Sequence, residues 1–137
     1  MKNFVILLIT LCSLFLFTCK KDELSERFKL LTGPVWMSDS LLADGVDASA
    51  PGGVLEKFKG EAKFNKDGTG VFGIYSGTWE FAYNETEIVI HSDSLLIPAV
   101  TTNIAELTST SLKITTAFPE KLNPGHFIKI RMTFKSK

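Results

Sequence analysis

Phe58-Lys59-Gly60-Glu61-Ala62-Lys63-Phe64-Asn65-Lys66-Asp67-Gly68-Thr69-Gly70-Val71-Phe72 decides the fold. Apolar or small residues at 58, 60, 62 and 64 alternate with charged residues at 57, 59, 61 and 63. That is the two-residue period of a strand with one dry face and one wet face. Asn65-Lys66-Asp67-Gly68 reads as a tight turn, with Gly68 suited to positive φ. The chain then returns over 69–75 with Phe72 and Ile74 on the dry side. One hairpin of this kind cannot bury its own apolar face, so it calls for more strands of the same pattern.

Downstream the pattern repeats. Ser76-Gly77 can turn the chain, after which Trp79, Phe81 and Tyr83 alternate with Thr78, Glu80 and Ala82. Asn84-Glu85 turns it again, and Ile88 and Ile90 follow. A longer connection at 92–98 leads to Val100, Thr102 and Ile104, where Leu107 falls out of phase and suggests a bulge or a two-sided strand. Leu112, Ile114 and Thr116 make the next strand. A loop containing proline and glycine at 118–126 leads into Ile128, Ile130, Met132 and Phe134. Upstream, 43–53 is rich in glycine and small residues and reads as a flexible loop. Trp36 and Met37 open the first strand toward Leu42. Leu24, Phe28 and Leu31 fall at i, i+4 and i+7 on a short helix closed by Gly33-Pro34, free to dock or to remain a tether.

These segments predict an all-β chain: an eight-stranded antiparallel up-and-down barrel over 34–137, with a sandwich as the competitor. In a meander, successive connections alternate between the two ends. The segments 43–53, 75–78, 92–98 and 118–126 collect at one end; 65–68, 83–86 and 108–111 collect at the other. A tightly closed floor and a loosely roofed open end follow. Phe58, Ile74, Trp79 and Ile90, with Thr102, Thr116 and Ile128, are expected to line the interior toward the open end. Trp36, Phe64, Tyr83, Ile104, Leu112 and Phe134 are expected toward the floor.

The first 18 residues are of another kind. Lys2 precedes an almost unbroken apolar run from Phe4 to Phe17, about 20 Å long as a helix and too short for a bilayer core of about 30 Å. It reads as a signal peptide. Leu16-Phe17-Thr18-Cys19 resembles a bacterial lipobox, in which the cysteine is acylated and becomes the first mature residue. Lys21-Asp22-Glu23 resembles the charged signal that sends such lipoproteins to the outer face of the outer membrane in Bacteroidetes-type bacteria. The resemblance implies lipidation at Cys19, palmitate among the acyl chains, a lipidated tether and short helix over 19–33, and a lipid-anchored, surface-exposed location on the outer membrane.

Beyond the leader about 120 residues remain, the length of one domain. Lysine and arginine total 15 against 15 aspartates and glutamates. A chain so close to neutral, with scattered basic residues, has no electrostatic footprint for nucleic acid. Cys12 and Cys19 are the two cysteines. Both belong to the leader and its lipid site, so no thiol is left for a disulfide, a metal or a nucleophile.

Leu31-Thr32-Gly33-Pro34-Val35-Trp36, Phe64 to Gly70, Gly77-Thr78-Trp79-Glu80-Phe81, and Ile104 to Thr108 with Leu112-Lys113-Ile114 together resemble the small lipocalin-like domains of Bacteroidetes lipoproteins. The resemblance covers most of 28–135. It implies an open-ended barrel with a binding role, and a basic residue of the last strand, here Arg131, laid over Trp36 on the barrel floor as a cation–π lid.

No catalytic pattern stands out. His91 and His126 lie at the open end with Asp93, Asp44, Asp47 or Glu120 as conceivable companions, but no metal-ligand spacing joins them. Ser92 and Ser94 beside His91 and Asp93 lack a nucleophile elbow, and Gly68-Thr69-Gly70 lacks the helix of a phosphate loop. The expected protein is a monomeric, cofactor-free, non-enzymatic lipoprotein. Two functions fit it. One is a barrel holding a small apolar or amphipathic ligand, with Thr102 and Thr116 as its polar handles and 43–53 as a mobile lid. The other is a packed barrel whose loops bind a protein or a glycan.

Overall fold

A computed structural model describes residues 23–137 apart from 96 and 121. The leader and Cys19 lie outside the described residues. Among the described residues one short α-helix, α1 (Glu26–Thr32), is followed by nine strands. These are β1 (Trp36–Ala43), β2 (Val46–Asp47), β3 (Glu61–Phe64), β4 (Thr69–Phe72), β5 (Tyr75–Ala82), β6 (Glu87–His91), β7 (Ala99–Leu107), β8 (Ser111–Pro119) and β9 (Phe127–Ser136). Neighbours pair antiparallel from β3 through β9. β1 closes the circle by pairing with both β3 and β9, and β2 hangs from its end. Eight strands therefore form a closed barrel, and closure removes the exposed edges that an open sheet would present.

Trp36, Leu41, Phe64, Phe72, Trp79, Ile88, Ile90, Leu112, Ile114, Ile130, Met132 and Phe134 fill the barrel. The turn at 65–68 is built as expected. Gly68 has φ +86°, its N–H donates to the Asn65 carbonyl, and the Asp67 carboxylate accepts from the Thr69 N–H and hydroxyl. The phase slip near Leu107 is a register shift between Ile104 and Glu106. A second shift, between Ser38 and Ser40, bends β1.

The helix docks. Ser25 caps it by accepting from the Phe28 N–H, and its hydroxyl donates to Glu85 in the 83–86 turn at 2.6 Å. Leu31 and Thr32 are buried, and the Phe28 ring lies 5.7 Å from Trp79. Trp36 donates its indole N–H to the Leu31 carbonyl at 3.0 Å. Lys63 Nζ donates to the carbonyls of Thr32, Gly33 and Pro34 at 2.8, 2.9 and 2.9 Å. A cation there satisfies the carbonyls that a helix C-terminus leaves unpaired. The helix thus plugs the short-turn end, although Leu24 lies before its first turn and is exposed.

Several expectations are corrected. Phe58 belongs to a single 3-10 turn, Glu56–Phe58, and not to a strand. The turn after β4 is the two-residue Gly73-Ile74 between the paired Phe72 and Tyr75, so Ser76 and Gly77 are inside β5. Gly73 has φ +62°, and a Cβ there would stand 2.2 Å from the Lys57 carbonyl. That placement puts Ile74 at the tip of a turn, 71% exposed. Segment 43–53 is no loose lid. Asp44 and Gly45, with φ +48° and +82°, form the two-residue turn of a β1–β2 hairpin, the backbone that an Asp-Gly pair favours. The Asp47 carboxylate then holds the Ser49 N–H and hydroxyl. Tyr83, expected inside near the floor, is 78% exposed because it begins a turn in the left-handed region.

Candidate functional site

The interior is a packed core. A void of about 20 Å³ lies between Phe58, Phe64, Phe72, Ile90, Ile114 and Met132. A void of that size has room for about one water molecule, against about 300 Å³ for a small-ligand pocket. Ile90 and Trp79 are buried, and Thr102 is fully enclosed with its hydroxyl donating to the Ile88 carbonyl at 3.2 Å. As a polar handle Thr102 is already spent on the barrel itself. Trp79 sits nearer the floor than expected: its indole N–H donates to the Asn65 carbonyl at 3.0 Å, and its ring meets Phe64 and Phe81 edge-on. Ile128 packs against the upper core. Thr116 gives its hydroxyl to the Thr101 carbonyl at 2.8 Å. Of the seven expected lining residues, Phe58 and Ile90 border the small void, while Ile74 leaves the interior altogether.

Arg131 is also displaced. On β9 the even-numbered residues Ile130, Met132 and Phe134 point inward, so Arg131 is on the outer face and exposed. It pairs in register with Leu42, whereas Trp36 pairs with Ser136 at the other end of the strand. The cation–π lid does not form.

Arg131 instead belongs to an open groove of about 720 Å³ on the outer wall. Register builds it in rows. Asn103 of β7 faces Thr115 of β8, Thr115 faces Arg131 of β9, and Arg131 faces Leu42 of β1. One rung nearer the open end, Ala117 faces Lys129. Asp44 locks that rung: its N–H donates to the Lys129 carbonyl at 2.8 Å, and its carboxylate accepts the Lys129 N–H at 2.9 Å. The rim carries Phe127, 55% exposed, and His126, whose Nδ1 lies 2.9 Å from the Glu120 carboxylate.

Charge in the groove is lopsided. Among the described residues no carboxylate lies within ion-pair distance of Arg131 or of Lys129 Nζ. Asp44 is engaged by backbone and Glu120 by His126. At the far end of the polar row, Glu87 pairs in register with Asn103, and its Oε2 is buried without a hydrogen-bond partner. The register alone reveals the site. Leu42, Asn103, Thr115 and Lys129 are scattered along the sequence, and the one hint was a pair of cations on the wet side of the last strand.

The loop end has a second property. Val46, Val54, Ile74, Ile97, Leu122 and Phe127 are all exposed; the first five lie on the four connections of that end, and Phe127 opens β9 beside them.

The closed antiparallel meander with a plugged floor places the chain in the all-β, lipocalin-like barrel class by fold. No protein-family model matches the chain, and no curated protein is detectably similar to it.

Proposed function

We propose that this protein is an envelope-anchored interaction module that binds a protein or a glycan through its outer wall and loop end, not through an interior cavity. The observation that carries this reading is the contrast between a core void of about 20 Å³ and an outer groove of about 720 Å³. Lipid-modified Cys19 holds it to the outer membrane. The docked helix lends direction to that anchor: Ser25 and Arg27 are bound to Glu85 at the floor, and the few residues back to Cys19 span at most about 3.5 Å each. The floor therefore faces the membrane, and the groove and loops face outward. Catalysis is not part of this reading.

Native mass spectrometry of protein purified without residues 1–18 is the test. An apo mass is expected, and a co-purifying lipid or other apolar small molecule would show that the interior opens to hold a ligand.

A further inference from the structure

We propose that the groove between Asn103 and Leu42 binds an acidic saccharide, with a sugar carboxylate held by Arg131 and Lys129. This rests on the reading that binding takes place on the outside of the barrel, and it names the ligand class.

Three features of the groove select the ligand. Arg131 and Lys129 lie two residues apart on one face of β9, about 7 Å along the strand, with no carboxylate in ion-pair distance of either among the described residues. A guanidinium presents a planar fork that matches a carboxylate with two parallel hydrogen bonds. Next, Asn103 and Thr115 continue the same row away from Arg131. An amide and a hydroxyl both donate and accept, which suits hydroxyl groups. That row covers two strand spacings, about 10 Å, the length of two linked pyranose rings. Finally, the exposed Phe127 ring and the Leu42 side chain border the polar floor and offer apolar surface to the C–H face of a sugar ring.

Other ligands fit less well. A fatty acid needs drier walls than this row provides. A simple inorganic anion uses neither the amide nor the ring. A peptide adding itself as a strand needs a free sheet edge, and β7, β8, β9 and β1 are all paired on both sides. Glu87 sets the polarity of the site. Its carboxylate lies at the Asn103 end, so the acid group of the ligand goes to the Arg131 end.

Isothermal titration of the full chain in non-ionic detergent with a hexuronic-acid trisaccharide tests this. Binding that weakens with added salt is expected, with a neutral hexose trisaccharide at least tenfold weaker. Arg131→Gln should weaken uronate binding about tenfold, the scale of a lost charge-assisted pair. Lys129→Gln should weaken it severalfold. Lys135→Gln, on the same strand but engaged by Asp39, should leave it unchanged. All three positions are exposed, so these variants fold, as circular dichroism will register. Equal affinity for the neutral sugar, no uronate binding, or equal binding of a triglutamate peptide would each overturn the proposal. None of these outcomes touches the packed-interior reading, which an apolar ligand found inside the barrel would overturn separately.

Discussion

Tyr83, Asn84 and Glu85 take φ of +46°, +54° and +63° in succession. For an L-residue with a Cβ that region costs about 1–2 kcal/mol, and asparagine tolerates it better than tyrosine. Tyr83 is mostly exposed and recovers little by packing. Tyr83→Gly should therefore stabilise the fold by about 0.5 kcal/mol after the glycine entropy cost, and Asn84→Gly by less. A rise in the urea midpoint at constant slope would register it. Asp67 is a second residue whose chemistry is local. The Thr69 hydroxyl, then the Thr69 N–H, hold its carboxyl below the ordinary carboxylate range. A depressed folded pKa contributes stability above the unfolded value, near 4, that is lost as pH falls through the folded one. Thr69→Val removes the larger cause and keeps the backbone bond. The Asp67 carboxyl resonance should then titrate at higher pH, and an unchanged midpoint would deny the hydroxyl that role.

At the scale of elements, α1 is the piece whose place was open. Its seven residues are too few to hold as an isolated helix, so the barrel must supply its stability. Leu31 is fully buried, and Leu31→Ala should cost about 3 kcal/mol. Lys63→Met keeps the aliphatic stem but leaves three carbonyls without their donor. It should cost about 1–3 kcal/mol, and hydrogen exchange should rise first in 26–33. If exchange there stays at the rate of the strands, Lys63 does not hold the helix. The β1–β2 hairpin is the other unexpected element. Asp44-Gly45 is the pair that a two-residue turn prefers, and that signal was submerged in a segment rich in glycine and small residues.

At the scale of the whole molecule, one end is closed by short turns and a helix, and the other carries most of the exposed apolar side chains. In the arrangement we propose, lipid attachment at Cys19 would give this asymmetry a direction. Several acyl chains at about 0.8 kcal/mol per buried methylene suffice to hold the domain without help from the fold. Cys19→Ser in the full chain should move the protein from the membrane pellet to the soluble fraction with its circular dichroism intact. Continued membrane partitioning would remove the anchor from the account.

The existence of the eight barrel strands, their antiparallel order and the sorting of long and short connections were legible from residues 36–134, because side-chain alternation and turn chemistry act over a few residues. Even the bulge near Leu107 showed in the phase of its neighbours. Which residues meet across strands was not legible. Ile74 left the core because Gly73 turned the chain three residues early. Arg131 left Trp36 because the β1–β9 register sets it opposite Leu42. The interior filled because large side chains from eight strands converge on one axis. The groove exists only because register brings 42, 103, 115, 129 and 131 to one wall. Periodicity reports which face a residue occupies; barrel closure and register, which depend on every strand at once, decide who its neighbours are.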